Sequence, residues 1–211
     1  MKYPDMDRIY RTIPLEAIPW NMDNPPAALV DLVESRRVLP CKAADLGCGA
    51  GNYAIWLSRR GFGVTGIDSS PTAIAIATKK AAQEGVGCRF IVADLLGDLH
   101  ELRGETFGFA YDWELLHHIF PKDRERYFRN VSTLLEPGGK YFSVCFSEDD
   151  PQFGGSGRFR ETRIGTRLYF SSEPEIRDLL SPHFFIRDLK TIEITAKSGT
   201  HIAIYAFAER R

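Results

Sequence analysis

What most limits the fold of this chain is a glycine-dense turn set between an apolar strand and an amphipathic helix, Asp45-Leu46-Gly47-Cys48-Gly49-Ala50-Gly51-Asn52. Cys41 to Leu46 is a short apolar run. Tyr53, Ala54, Ile55 and Leu57 then continue at helical spacing until Gly61. The hydrophobic period therefore changes from that of a strand to that of a helix across the glycines. Glycine permits the backbone of a tight strand-to-helix turn, and it lacks the Cβ that would hold a ligand away from the main chain.

The same unit recurs. Gly63 to Ile67 reads as a second strand, and Ser70 as the N-cap of a helix from Pro71 to Glu84. Cys88 to Ala93 and Phe107 to Tyr111 give a third and a fourth strand. Pro121 to Leu135 is a long amphipathic helix stopped by Pro137-Gly138-Gly139, and Lys140 to Phe146 is the fifth strand. Ahead of this series, Met1 to Asn24 reads as irregular and proline-punctuated, and Ala27 to Val38 as a helix. After it, a polar stretch rich in glycine, including Gly155, carries Arg158, Arg160, Arg163 and Arg167. A helix from Glu173 to Leu180 follows, and Phe184 to Ile194 pairs with His201 to Ala208 across Lys197-Ser198-Gly199-Thr200.

Alternating strands and helices predict an α/β fold: a Rossmann-like, doubly wound, seven-stranded and mostly parallel sheet, with the C-terminal hairpin supplying one antiparallel edge strand. The 211 residues suit one domain, with 1–24 as a lid segment and 147–170 as an excursion over the substrate. A formal net charge of -1 offers no field to collect nucleic acid or an anionic membrane, so small-molecule partners are expected. Oligomeric state is not readable. Cys41, Cys48, Cys88 and Cys145 show neither a CxxC pair nor metal-ligand spacing, so no metal site is expected. The N-terminus lacks the apolar run of a signal peptide and no span is long enough for a membrane, which implies a cytoplasmic address.

The neighbours of the glycines decide what the turn holds. A dinucleotide fingerprint would need glycine where Asn52 stands, and a phosphate loop would need a lysine, whereas no Lys or Arg lies between Ala43 and Ser58. Asp45 at the mouth of the turn repels phosphate and attracts an ammonium group. Asp68 ends the second strand, 21 residues beyond Gly47, where a carboxylate accepts from both ribose hydroxyls. Asp94 ends the third strand, in reach of an adenine amino group. Ammonium, ribose and adenine without phosphate describe S-adenosylmethionine.

Ala44-Asp45-Leu46-Gly47-Cys48-Gly49-Ala50-Gly51, Val64-Thr65-Gly66-Ile67-Asp68, Ala93-Asp94, Leu116-His117-His118 and Leu135-Glu136-Pro137-Gly138-Gly139 together resemble the ordered motifs of class I S-adenosylmethionine-dependent methyltransferases, over roughly residues 40 to 146. One departure is Gly108, where that family often has Asp. A shorter resemblance, carried by Ile18-Pro19-Trp20 and Phe109-Ala110-Tyr111-Asp112, is to the branch that methylates thiols, thiopurines, halides and tellurite.

The resemblance implies methyl transfer to a small-molecule acceptor such as a thiol or another soft or anionic nucleophile, with S-adenosylhomocysteine as product. Asp45, Gly47, Cys48, Gly49, Gly51, Asp68, Ser69, Asp94, Leu95, Asp112 and Trp20 are then expected around the cofactor. Trp20 and Trp113 are read as a wall over the sulfonium, or as core. His117 is either a base toward a protic acceptor or a packing residue, and Asp112 divides in the same way between a catalytic and a structural role. The arginines form either a solvated face or a site for an anionic acceptor. Two other functions stay in view: a non-catalytic module that binds the same ligand, and an NAD-dependent oxidoreductase, which the Asn52 spacing disfavours.

Overall fold

Four of the five residues of the strand Lys42–Leu46 are buried, as a strand covered on both faces requires, and this strand occupies the middle of the sheet. The computed structural model describes residues 3–154, 157–197 and 199–211, so Gly155 and Ser198 lie outside the described residues. In chain order the elements are α1 (Met6–Thr12), α2 (Ala27–Glu34), β1 (Lys42–Leu46), α3 (Asn52–Ser58), β2 (Gly63–Asp68), α4 (Pro71–Gln83), β3 (Arg89–Val92) and β4 (Phe107–Trp113). They continue with α5 (Pro121–Leu134), β5 (Leu135–Phe146), β6 (Phe159–Glu161), β7 (Arg167–Tyr169), α6 (Glu173–Leu180), β8 (Phe184–Ala196) and β9 (Gly199–Arg210).

Seven strands form one sheet in the order β3-β2-β1-β4-β5-β9-β8, the first five parallel and β9 antiparallel to both neighbours. The Rossmann-like expectation is met. β1 pairs with β2 on one side and β4 on the other, so the chain reverses its direction of winding there and opens a crevice at the carboxyl ends of these strands. One face packs Leu46, Ile67, Ala110, Phe128 and Tyr141, and the other packs Leu29, Leu57, Val64, Phe109 and Phe142. Ser70 caps α4 by accepting the Ala73 N–H at 3.0 Å. No helix among the described residues is long and apolar enough to cross a membrane.

Three local expectations change. Residues 1–24 are not irregular throughout: Asp5 caps α1 by accepting the Arg8 N–H, and Ile9 and Tyr10 are buried in a small cluster with Ile18 and Ala73 of α4. The fifth strand begins at Leu135 and not at Lys140, because Leu135 pairs at once with Phe107 and the ladder absorbs Pro137-Gly138-Gly139 as a register shift before Phe109. The antiparallel strand is interior, not an edge. Residues Ala203 to Ala208 of β9 are all buried, which suits a strand covered on both sides. β8 carries exposed or partly exposed Arg187, Asp188, Lys190 and Glu193, which suit the sheet margin.

Candidate active site

The glycines of the turn have left-handed φ of +74° (Gly47), +52° (Gly49) and +77° (Gly51), which only glycine adopts without cost. They serve different ends. A Cβ at Gly51 would stand 2.8 Å from Ala77 Cβ and Phe90 Cζ, so this glycine lets the turn close onto α4 and β3 behind the crevice. A Cβ at Gly49 would meet only the Tyr10 hydroxyl, at 2.5 Å, on the open side.

Asp68 is fixed by two backbone donors: Gly49 N–H to Oδ2 and Ser70 N–H to Oδ1, both 2.9 Å. Burial pushes its carboxyl above the ordinary range. Asp45 is 3% exposed, and burial pushes it up to about 7 against the nearby Tyr111 hydroxyl. Even so, neither Asp45 Oδ2 nor the Tyr111 hydroxyl has a partner at hydrogen-bond geometry among the described residues. Asp94 is exposed and accepts the Leu96 N–H at 2.9 Å.

A hollow of about 70 Å³ is lined by Asp45, Gly47, Cys48, Gly49, Trp20, Trp113, Glu114 and His118. A cavity of about 290 Å³ is lined by Asp68, Ser69, Asp94, Leu95 and Tyr3. Met6, Tyr10, Gly47, Leu115 and His118 line both, making them two parts of one groove. Its donor set fits S-adenosylmethionine. The unpartnered Asp45 oxygen would suit an ammonium, Asp68 beside the Gly49 backbone would suit a ribose, and Asp94 with Leu95 at the far end would suit an adenine. Of the anticipated cofactor residues, Gly51 packs behind the groove and Asp112 is absent from it.

The expectation that Asp112 meets cofactor or acceptor does not hold. It is 0% exposed and lines none of the three cavities described here; its carboxylate accepts from the hydroxyls of Tyr127 (2.8 Å), Ser143 (2.9 Å) and Tyr141. Burial raises it to about 6 against those three donors, and it knits β4 to α5 and β5.

Beyond the groove opens a cavity of about 540 Å³, lined by Trp20, Glu114, His117, His118, Phe146, Phe153 and His201, with Arg163 and Ile164 from the β6–β7 connection. Phe146 stacks against His117 (centroids 4.2 Å, 3° between planes) and His201 (4.7 Å, 28°). Trp20 meets His118 edge-on at 5.7 Å, and its indole N–H donates to the Tyr10 hydroxyl at 2.9 Å. Burial pushes His118 down to about 4 and His117 well below the usual imidazole range, and the Nδ1 of each lacks a hydrogen-bond partner among the described residues. Buried Arg124 donates to the carbonyls of Leu116 (3.1 Å) and Ile119 (2.8 Å), which bracket the two histidines.

The four arginines do not act together. Arg158 pairs with Glu148 (2.7 Å) and Glu175 (2.9 Å), Arg160 is buried and donates to the Glu148 carbonyl, and Arg167 covers Phe159. Arg163 alone of the four reaches the large cavity. Sequence reasoning missed Glu114 and Tyr10. For Glu114 the available signal was its place just past the fourth strand; for Tyr10 it was the spacing of Met6, Ile9 and Tyr10, hidden among prolines.

A family model described as "Methyltransferase domain" matches residues 43–139. A 2-heptyl-1-hydroxyquinolin-4(1H)-one methyltransferase of Mycobacteroides abscessus is 28% identical over 181 residues, 84% of this chain and 73% of that protein. A ubiquinone biosynthesis O-methyltransferase of Methylobacterium nodulans is 34% identical over 120 residues, 54% of this chain and 45% of that protein, so the chain spans under half of that relative. A protein solved in work on the conversion of a disulfide bond into a thioacetal group during echinomycin biosynthesis superposes with a TM-score of 0.79 at 26% identity, covering 97% of this chain and 91% of the other.

Proposed function

We propose that this chain, which belongs to the class I S-adenosylmethionine-dependent methyltransferases, methylates a small, flat aromatic acceptor held in the cavity of about 540 Å³ beside the glycine turn. That volume suits a drug-sized molecule. The observation that carries the acceptor class is the ring wall: Phe146 is stacked against both His117 and His201, and all three line the cavity. A planar aromatic acceptor can extend such a set of rings by offset or edge-to-face stacking. The hydroxyquinolone named for the Mycobacteroides abscessus relative is a compound of this kind.

S-adenosylmethionine supplies the electrophilic methyl group. The residues of the chain align and enclose. Asp45 holds the ammonium and Asp68 the ribose, Tyr10 and Trp20 cover the groove from the N-terminal side, and His117 and His118 present neutral imidazoles to the acceptor. Alignment and exclusion of water supply most of what such a transfer needs from the protein. A second reading, a sulfur acceptor, is supported by the disulfide-to-thioacetal chemistry of the solved relative, and a thiolate would need no base.

Calorimetry with S-adenosylmethionine and S-adenosylhomocysteine, followed by mass detection of methylated products from hydroxylated heteroaromatics and aryl thiols, tests both readings. Binding of the two nucleosides with a methylated aromatic hydroxyl supports the first. Methylation of thiols alone selects the second, and binding without any product overturns both in favour of a binding module.

A further inference from the structure

Among the described non-glycine residues, Arg36, Leu99, Glu114 and Phe153 have left-handed backbone, and two of the four, Glu114 and Phe153, line the large cavity. Glu114 has φ +62°, and its amide is pinned to the Val144 carbonyl at 2.9 Å, so the end of β4 holds its side chain in place against local preference. Trp20, Glu114 and His118 line both the hollow at the glycine turn and the large cavity, and so frame the port between donor and acceptor. No hydrogen bond or ion pair engages the Glu114 carboxyl among the described residues, and burial alone acts on it, raising it to about 7. A strained backbone that delivers an unpartnered carboxyl to the one place both substrates must meet is a functional arrangement.

We propose that Glu114 is the catalytic base of the transfer, taking the proton from an aromatic hydroxyl acceptor at the port. This rests on the aromatic-acceptor reading and deepens it. The acceptor oxygen bonds to the methyl carbon as the carbon–sulfur bond breaks, the electron pair stays on sulfur, and the hydroxyl proton passes to the Glu114 carboxylate and later to water. A cationic sulfonium and an anionic carboxylate thus become a neutral thioether and a neutral acid, a change that a dry port favours. The two histidines are weaker candidates, because burial holds both well below the range in which an imidazole takes a proton at neutral pH. Their rings line the acceptor cavity as uncharged walls instead.

Other titratable groups face Glu114. Asp45, Tyr53 and His118 lie on the donor side, and His117, Glu161, Arg163 and His201 line the acceptor side. Asp45 also titrates near neutrality, so the test uses acceptor acidity in place of a pH profile alone.

Glu114→Gln keeps shape and removes basicity. With substituted phenols from 4-methoxyphenol to 4-nitrophenol and with 2-heptyl-1-hydroxyquinolin-4(1H)-one at pH 7.5, kcat falls about 100-fold or more for the least acidic members and less than about 5-fold for those already ionised. S-adenosylhomocysteine affinity, read by calorimetry as a check on folding, stays within about 3-fold. In protein carrying carboxyl-labelled glutamate, the variant lacks one carbon resonance that titrates near neutrality. Equal loss of kcat across the acidity series, a parallel loss of nucleoside binding, or an unchanged resonance set overturns the assignment. If the unaltered protein methylates none of these probes, the aromatic-hydroxyl reading falls and this proposal with it. If it methylates them and Glu114→Gln is silent, only the role of Glu114 is lost.

Discussion

Oδ2 of Asp68 accepts the backbone N–H of Gly49 at 2.9 Å, which ties the end of β2 to the glycine turn that follows β1. Its other oxygen accepts the Ser70 N–H at 2.9 Å, so one carboxylate shapes the turn and starts α4 while keeping lone pairs for a ribose. Asp68→Ala is expected to weaken S-adenosylhomocysteine binding by about 100-fold, the loss of one or two charge-assisted hydrogen bonds. Asp68→Asn should not rescue it, because the amide NH2 would face one of the two backbone donors. Calorimetry checks this, and unchanged affinity in either variant would reject the ribose contact.

The buried Asp45 carboxyl makes cofactor affinity depend on pH. With its pKa raised to about 7, it is mostly protonated in the free protein below neutrality, whereas an ammonium ligand selects the ionised form. Binding at pH 6 should therefore release a proton from Asp45. Affinity should rise as pH increases toward 7, by up to about tenfold per unit, and should level off before the ligand amine itself deprotonates near ~8. The sign is opposite for folding: with its carboxyl raised, Asp45 contributes stability that is fully present below the unfolded carboxyl value of about 4 and is lost as pH rises through 7. Calorimetry in two buffers of different ionisation heat counts the proton, and Asp45→Asn should reduce both the release and the pH slope to what Glu114, also raised to about 7 on the same hollow, contributes.

The glycine substitutions should separate folding from binding. Gly51→Ala adds left-handed strain and drives a Cβ to 2.8 Å from Ala77 and Phe90, two packed groups, for an expected loss of about 2–4 kcal/mol in denaturant titration. Gly49→Ala meets only the Tyr10 hydroxyl at the end of a side chain, so about 1–2 kcal/mol of backbone strain is expected, with a larger loss in cofactor affinity. Equal destabilisation by the two would refute the division of labour.

These contrasts mark what the chain discloses on its own. Asp45, Asp68 and Asp94 line the groove because strand periodicity places each at a carboxyl end, and periodicity is a local property. The Ser70 cap is local too. By contrast α1 holds its helix by burying Ile9 and Tyr10 against Ala73, a contact more than 60 residues away in sequence, and no window around Met6 contains that information. Glu114 points into the port because β5 pins its amide, and a left-handed φ at a glutamate has no sequence signal. Arg158 and Arg160 read as free charge until the carboxylate and carbonyl partners brought by the fold are seen. Asp112 reads as a strand-end acid like the others, yet three hydroxyls from α5 and β5 consume it.

The N-terminal segment is held to the body of the fold at several points, and one of them is Asn52. Tyr3 donates to Asp123 at 2.7 Å, and Asp7 accepts the Ser70 hydroxyl (2.7 Å) and the Thr72 N–H (3.0 Å). Asn52, where a dinucleotide fingerprint would carry glycine, donates to Asn21 Oδ1 (3.0 Å) and to the Met22 carbonyl (2.7 Å). At about 1 kcal/mol net for each bond, losing both should raise the open population of the segment roughly 10- to 30-fold. The global unfolding free energy should fall by a similar amount, no more than about 2 kcal/mol, because the two bonds stabilise the closed protein against the open and the unfolded states alike. Asn52→Ala is thus expected to accelerate limited proteolysis within residues 13–22 and to raise the dissociation rate of S-adenosylhomocysteine several-fold. Unchanged proteolysis within residues 13–22 would show that Asn52 does not hold the cover, and unchanged dissociation would show that the segment does not gate the groove.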